Sequence, residues 1–390
     1  MADMSFEEFK QEIADNIKDH LPEEYQDSSV QLNTVHKNNE TLGAITITST
    51  DSNVSPTIYL NSFYEDYQNG EDMDSIMDKI ADIRVEHEVD KSFDVSRIMD
   101  FEQVQDKIAA RVVGMEGNDE LLAQRPHAEM EDLAVTYCVM LGEDANGSMS
   151  VPITNQLMET WGVTQEDLHQ LAQTNQETLT PSTFKSMNEV MVEMMLPQIM
   201  EDMGIDRESA EQMISDMIPP DDMMYVLSNE QKVNGAAALL DEKMMDQVAE
   251  KVGVDFYILP SSVHEVLIVP AEVGMDLKDL ENMVQEVNAT QVAPQDRLSD
   301  HVYQYDNETH EIFRADRAEE HMQAKEEAKD TAEIPKDAVA DQPKDKAEKG
   351  DKEKTSLKER LEDKKKEAKE IEKKSPEKAL DKSKKKEQAL

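Results

Sequence analysis

The sequence predicts an α+β fold, with mixed helices and mainly antiparallel sheets in a large acidic body that a charged C-terminal tail follows. Segments with apolar residues at helical spacing alternate with short β-branched runs, and polar turns that suit hairpins join several of these runs. The charges divide at the same boundary. Residues 316–390 hold 22 basic and 22 acidic side chains, which leaves 18 basic and 64 acidic ones in 1–315. The whole net charge of −46 therefore lies in the body.

The N-terminal residues 5–90 are predicted to form one α–β–β–β–α layer. Ser5 and Glu8 have the spacing of a capping box, and apolar residues follow them at helical intervals. Three strands and a second helix come next: VQLNTVHK (30–37), LGAITITS (42–49), PTIYL (56–60) and DMDSIMDKIADIRVEHEV (72–89). The pattern allows a division of the body into 1–90 and 100–315.

The middle of the body mixes strands and helices. Two apolar, β-branched runs predict strands, ARVVGM (110–115) and LAVTYCVML (133–141). Residues 149–179 predict a short strand and two helices, the second of which begins at a cap formed by Thr164 and Asp167. Residues 182–218 are rich in methionine and predict helix that is interrupted at Pro197.

The last part of the body predicts a strand, a helix, two strands, a helix and a terminal hairpin. In chain order these are MMYVLSN (223–229), AAALLDEKMMDQVAEKVG (236–253), DFYILP (255–260), VHEVLIVP (263–270), DLKDLENMVQEVN (276–288) and HVYQYDNETHEIFRA (301–315). Asp276 is the predicted cap of the second helix. The hairpin is expected to turn at Asp306-Asn307.

The tail, 316–390, holds few large apolar residues, so we expect 316–354 to lack stable structure. Residues 355–374 predict a partial, solvated helix, since Ser356 and Glu359 have capping-box spacing. Its apolar stripe, Leu357, Leu361 and Ile371, is too thin for a firm coiled coil. Deletion of the tail is therefore expected to change the melting temperature of the body by less than about 2 °C.

The catalytic candidates are Ser262, His264 and Glu265 in LPSSVHEVLIVP (259–270). A type I turn over the first four residues explains the proline and the serines. Strand alternation would place Ser262 and His264 on the same face, but about 7 Å apart, which is too far for the hydrogen bond that activates a serine. The strand that follows is apolar on both faces, which predicts an inner strand covered on both sides.

Catalysis by this segment would need groups from elsewhere in the chain. A distant acid, with His301 and His310 as helpers, would have to converge on Ser262 and His264 in a cleft. The serines lack a Gly-x-Ser-x-Gly elbow, and His264 lacks the second histidine of a zincin motif. A structural turn is the favoured interpretation, while the rim of a binding site and catalysis remain the alternatives.

Two other segments suggest metal ligands. His127, Glu129 and Glu131 in RPHAEMEDL (125–133) share one side if that segment is extended, although a solvated acidic face is the favoured interpretation in this composition. DANGS (144–148) lacks the spaced carboxylates of an EF-hand and suits a hairpin turn better. Because the chain also lacks phosphate-loop, dinucleotide and CxxC motifs, the sequence predicts no cofactor and no metal.

Methionine is concentrated in one part of the body. A loosely specified helical core is the favoured interpretation. The alternative is an adaptable binding surface, because the side chains in such a cluster are flexible and polarizable. The cluster comprises Met187, Met191, Met194, Met195, Met200, Met203, Met213, Met217, Met223 and Met224.

Three motifs of the chain resemble those of a bacterial family, domain-of-unknown-function family 5688, which anaerobic gut bacteria carry. They are SFEEFKQEI, YVLSNEQKVNGAAALL and DFYILPSSVHEVLIVPA, and the resemblance covers about 5–315. The last motif is also distantly similar to a strand pair of family 1444. The resemblance implies no activity, cofactor or catalytic residue.

The composition favours a cytoplasmic protein without a membrane segment. Cys138 is the single cysteine, the N-terminus is acidic, and no run approaches the roughly 18–20 apolar residues of a membrane helix. The acidic body would repel nucleic acid and could attract a basic protein partner. We therefore expect a non-enzymatic, macromolecule-binding protein. The alternatives are a hydrolase or metal-dependent enzyme that uses Ser261–Glu265, and an acidic DNA mimic.

Overall fold

The computed structural model describes residues 4–50, 55–87, 96–144, 147–218 and 224–332. Helices and antiparallel sheets make up these ranges, so the predicted α+β class is confirmed. Within them, no helix combines the length and the apolar composition that crossing a bilayer requires. The predicted partial helix at 355–374 lies outside the described residues.

The N-terminal layer has the predicted elements in the predicted order, with one additional helix. They are α1 (Phe6–Asn16), β1 (Ser29–Lys37), β2 (Glu40–Thr48), β3 (Thr57–Tyr59), α2 (Asn61–Gln68) and α3 (Met73–Glu86). The capping box of Ser5 and Glu8 is present at the start of α1. The strands pair in the order β1-β2-β3, and Phe9, Ile45 and Ile80 are buried in the core that the helices share with them.

A second antiparallel sheet follows the N-terminal layer. Its elements are α4 (Ser96–Met99), β4 (Ile108–Gly114), α5 (Asp119–Ala123), β5 (His127–Met130), β6 (Leu133–Asp144) and β7 (Gly147–Pro152). The long strand β6 pairs with β4 along one edge and with β5 and then β7 along the other. The pairing of Asp144 with Gly147 confirms a hairpin at DANGS, of which residues 145–146 are outside the described ranges.

Next come α6 (Asn155–Trp161), α7 (Gln165–Leu179), β8 (Ser182–Ser186), α8 (Met187–Met203) and α9 (Arg207–Met217). The prediction of helix from 182 is wrong for the first five residues, because they pair with the following strand and Phe184 stacks on Tyr225. Ser186 then caps α8 in a capping box with Glu189. The predicted interruption at Pro197 is also wrong. The helix continues through the proline, and its neighbour Leu196 is buried with Ile214 of α9.

The third sheet contains six antiparallel strands. The elements that complete it are β9 (Tyr225–Asn229), α10 (Glu242–Val252), β10 (Phe256–Leu259), β11 (Val266–Pro270), α11 (Leu277–Thr290), β12 (Tyr303–Asp306) and β13 (Glu311–Arg314). Their order is β13-β12-β10-β11-β9-β8. The helix predicted from 236 begins at Glu242, since Gly235–Leu240 forms a 3-10 turn.

Strand β11 is covered on both faces, as predicted. Val266 and Ile268 pack in the cluster that includes Val248 of α10. Val269 packs in a separate cluster with Leu280 of α11. The helices α10 and α11 therefore lie on opposite faces of the six-stranded sheet.

The predicted lack of structure from 316 is wrong for the residues up to Ala332. Residues Ala318–Ala332 form α12, which follows β13 after the 3-10 turn Ala315–Arg317. The His321 ring stacks on Phe313, with centroids 3.9 Å apart, and Lys325 lies 2.5 Å from Asp306. One ring contact and a few ion pairs hold this helix against the body. Its sequence therefore has no apolar stripe at helical spacing, which is the pattern that predicts a docked helix.

Candidate functional site

The Ser262–Glu265 segment is a loop, and not the start of a strand. Strand β11 begins at Val266, so six residues join it to β10 and the predicted four-residue turn is too short. Ser262 is buried and pairs with Arg297 through an isolated bridge. Its Oγ accepts a hydrogen bond from the backbone N–H of His264 at 3.0 Å. This serine therefore stabilises the loop that carries it.

Both ring nitrogens of His264 are engaged. Nδ1 accepts the backbone N–H of Asn234 at 3.2 Å, and Nε2 lies 3.2 Å from Oδ1 of Asp296. With Nδ1 as acceptor, the proton of the neutral ring sits on Nε2 and is donated to the carboxylate. Neither nitrogen is available to take a proton from a serine. Glu265, the third candidate, is exposed.

The two proposed helpers have partners of their own. His310 contacts Asp246 at 3.1 Å and Tyr305 at 3.0 Å. His301 lies between an aspartate and an arginine that are described below. The distant acid that the hypothesis required does exist, since Asp296 pairs with His264, but the serine hydroxyl is not part of that pair.

The His264 loop contacts another segment singled out in the sequence. Ser228 Oγ donates to the carbonyl of His264 at 2.8 Å, and a Cβ on Gly235 would lie 2.4 Å from the same oxygen. Ser228 and Gly235 belong to YVLSNEQKVNGAAALL, and His264 belongs to DFYILPSSVHEVLIVPA. The two motifs therefore pack on each other, and this contact gives Ser228 a structural role.

A polar cluster that sequence reasoning missed lies where the second and third sheets meet. The Tyr303 hydroxyl donates to Asp132 and lies 3.2 Å from Ser299 Oγ. Arg314 lies 3.6 Å from the Asp132 carboxylate and donates to Nδ1 of His301 at 3.2 Å. Asp132 and Tyr303 are 171 positions apart, so no local pattern could have connected them.

The electrostatics of this cluster favour a fixed hydrogen-bond network. Burial and the hydrogen bond to Asp132 raise the pKa of Tyr303, so the phenol stays protonated as a donor. The hydrogen bond to Asp316 raises the pKa of Arg314. A cavity of about 310 Å³ adjoins the cluster and is lined by Asp132 and His301. It is large enough for a small ligand, but the cluster offers no unpaired base beside it.

The described segment that suggested a metal site, RPHAEMEDL, does not form one. His127 and Glu129 lie on β5, while Glu131 has a left-handed backbone and contacts Arg317 at 3.4 Å. In the described part of the chain, no group of three His, Cys, Asp or Glu side chains is placed to hold a metal ion.

The methionine cluster divides between core and surface. Met195 and Met200 pack against the buried pair Leu196 and Ile214, so part of the cluster is the helical core that the sequence allowed. Five other members of the cluster are exposed on α8 and α9. The large exposed methionines of this hairpin are Met191 (39%), Met194 (72%), Met203 (54%), Met213 (38%) and Met217 (66%).

Comparison with known proteins gives one family. The model of a family of unknown function, DUF5688, matches residues 6–307. No curated protein and no solved structure matches the chain. The distant likeness to family 1444 stays a prediction. Since the match covers more than half of the 390 residues, the chain belongs to the DUF5688 family of unknown function.

Proposed function

We propose that this protein acts without catalysis and binds a basic, amphipathic segment of another protein through the α8–α9 hairpin. The observation that carries the proposal is the exposed methionine surface of this hairpin. Met187, Met191 and Met194 are spaced at i, i+4 and i+7, which places them on one side of α8. Methionine side chains adapt to different apolar partners because they are flexible and polarizable.

The charge of the hairpin supports a basic partner. Residues 187–218 contain eight acidic residues and one basic residue, Arg207, which is paired with Glu211. A cationic amphipathic helix could place its apolar side chains on the methionines and its lysines against the acidic residues of 187–218. The same charge disfavours nucleic acid as a partner. We place the interaction in the cytoplasm, because the single cysteine, Cys138, is buried and unpaired.

The alternative functions have less support. A hydrolase at Ser261–Glu265 would need a free ring nitrogen on His264, and both nitrogens are engaged. A DNA mimic would need carboxylates in ordered rows at phosphate-like intervals. The only support for such rows is the acidic composition, so the DNA mimic stays a prediction.

The experiment uses a labelled helical peptide of about 18 residues, with leucines on one face and lysines on the other. We expect fluorescence anisotropy to show saturable binding by the full chain. Substitution of Met191→Gln and Met194→Gln together should weaken binding by about tenfold or more, since the apolar contact is lost. The matched control is Met322→Gln, which changes a methionine of similar exposure (57%) on α12.

A second peptide distinguishes binding through the exposed methionines from nonspecific electrostatic attraction to the acidic protein. It has the same composition, but its leucines are scattered so that no apolar face forms. Equal binding of both peptides, or equal binding by the Met191→Gln/Met194→Gln and Met322→Gln variants, would overturn the proposal.

A further inference from the structure

Two arginines lie in segments of the second sheet: Arg111 is on β4, and Arg125 is two residues before β5. In the pairing of β4, β6 and β5, Arg111 lies opposite Thr136, and His127 lies opposite Thr136 from the other side. Arg125 precedes β5 and reaches the N-terminal layer, where its NH2 group lies 3.5 Å from the carbonyl of His36. Thr136, which lies between Arg111 and His127 in the sheet, is buried.

In the part of the chain whose side chains are described, these arginines have no counter-ion. Arg111 donates to Ser150 Oγ at 2.5 Å, and Arg125 has only the long contact to His36. Among the described residues, neither guanidinium lies within 4.0 Å of a carboxylate oxygen. This is notable in a body with 64 acidic residues and 18 basic ones, where a partner would be expected by abundance alone.

The nearby thiol does not supply the missing charge. Burial raises the pKa of Cys138, so this side chain stays protonated beside the two arginines. Burial also lowers the pKa of Arg125, and the positive charge of Arg111 lowers it further. The two guanidiniums are therefore close enough to repel each other. Placing two like charges together costs free energy unless an anion binds between them.

We propose that Arg111 and Arg125, with the hydroxyl of Ser150, form a binding site for a tetrahedral oxyanion of the phosphate type. Each guanidinium presents a planar fork of donors, and two forks from different segments of the chain suit an anion with oxygens on several sides. Both side chains are partly exposed, so a small anion can reach them from solvent. Arg125 of RPHAEMEDL then belongs to an anion site, whereas His127 of the same segment had suggested a metal ligand.

The test is a titration of the full chain with sodium phosphate. Binding is monitored through the Nε–Hε signals of arginine in nuclear magnetic resonance spectra. Ionic strength is held constant with sodium chloride, because salt also screens the repulsion of the acidic body. We expect saturable shifts of two arginine signals, which disappear in the Arg111→Gln variant and in the Arg125→Gln variant. Arg207→Gln is the matched control, since Arg207 is an exposed arginine already paired with Glu211.

Titrations with other anions identify the ligand class. Sodium sulfate should bind within about tenfold of phosphate, whereas planar acetate should bind more weakly. Thermal denaturation gives an independent measurement: phosphate should raise the melting temperature of the wild type and of Arg207→Gln more than chloride does. Absence of saturable shifts, or the same phosphate response in all variants, would overturn the proposal.

Discussion

Asn118 and Asn39 hydrogen bond to each other in both directions. The backbone N–H of Asn39 donates to Oδ1 of Asn118 at 2.8 Å, and Nδ2 of Asn118 donates to Oδ1 of Asn39 at 2.9 Å. Asn39 lies in the β1–β2 turn with φ of 57°, and Asn118 precedes α5. Asn39 also donates to the carbonyls of Pro294 and Arg297. The pair thus connects the N-terminal layer to the segments around both other sheets.

We expect Asn118→Ala to lower the free energy of unfolding by about 2–3 kcal/mol. The side chain is 1% exposed, and its loss leaves the Asn39 N–H and the Gly114 carbonyl without these partners. Urea denaturation gives the value. Asn33→Ala removes an exposed amide that donates to Thr46 and should change stability by less than about 0.5 kcal/mol. Similar costs for the two variants would show that the junction contributes little.

The docking of α12 changes the expectation for the tail. A chain that ends at Arg314 loses the Phe313–His321 stack and the contact of Lys325 with Asp306, so it should melt several degrees lower. A chain that ends at Ala332 keeps both and should melt within about 2 °C of the full protein. Scanning calorimetry of the full protein and of the two shortened chains measures these melting temperatures. Equal melting temperatures for all three would show that α12 adds no stability.

Local signals explain what the sequence could predict. Ser5 with Glu8 and Thr164 with Asp167 lie three residues apart, and both capping boxes are present. Signals of this kind depend on neighbours along the chain, so helix starts and hairpins were predictable.

The errors concern contacts between distant segments. The strand β8 has too few apolar residues to stand out, and its pairing with β9 across the α8–α9 hairpin gives it its conformation. The Asp132–Tyr303 pair and the junction of Asn39 with Asn118 likewise depend on tertiary structure. At Ser262 and His264, the residues are polar because they hold a loop, and residue type alone does not separate that role from catalysis.

The pH dependence of stability should include a contribution from Asp306. Burial acts to raise its pKa, but hydrogen bonds from Lys325, from the backbone N–H groups of Glu308 and Thr309, and from His321 outweigh burial and hold the pKa well below its usual range. A carboxyl with a lowered pKa in the folded chain stabilises that chain fully above its unfolded pKa of about 3.9. This contribution is lost as pH falls towards the folded pKa.

The comparison of wild type with Asp306→Asn isolates this contribution. The difference between their free energies of unfolding should stay constant from pH 7 to about pH 4.5 and shrink below about pH 4. Urea denaturation at constant ionic strength across this range measures it. A difference that does not change down to about pH 2.5 would mean that the carboxylate charge of Asp306 is unimportant for docking α12.

The last prediction concerns Gly235, where the two family-like motifs meet. A Cβ at this position would lie 2.2 Å from Ser228 Oγ, 2.4 Å from the His264 carbonyl oxygen and 2.8 Å from the Asn229 nitrogen. The last two are backbone atoms of a loop and a strand, so they cannot move without shifting β9 against β11. We expect Gly235→Ala to lower the free energy of unfolding by about 3 kcal/mol or more.

Two comparisons separate steric overlap from backbone strain. Gly204→Ala places a Cβ in open space with φ of +63°, so it should cost only the left-handed strain of about 1–2 kcal/mol. Ser228→Ala combined with Gly235→Ala removes the closest overlapping atom but leaves both backbone overlaps. The double variant should therefore stay at least as unstable as the single one, because it also loses the hydrogen bond from Ser228 to His264. Recovery of wild-type stability in the double variant would show that the side-chain overlap alone, and not the backbone approach of the two motifs, requires glycine here.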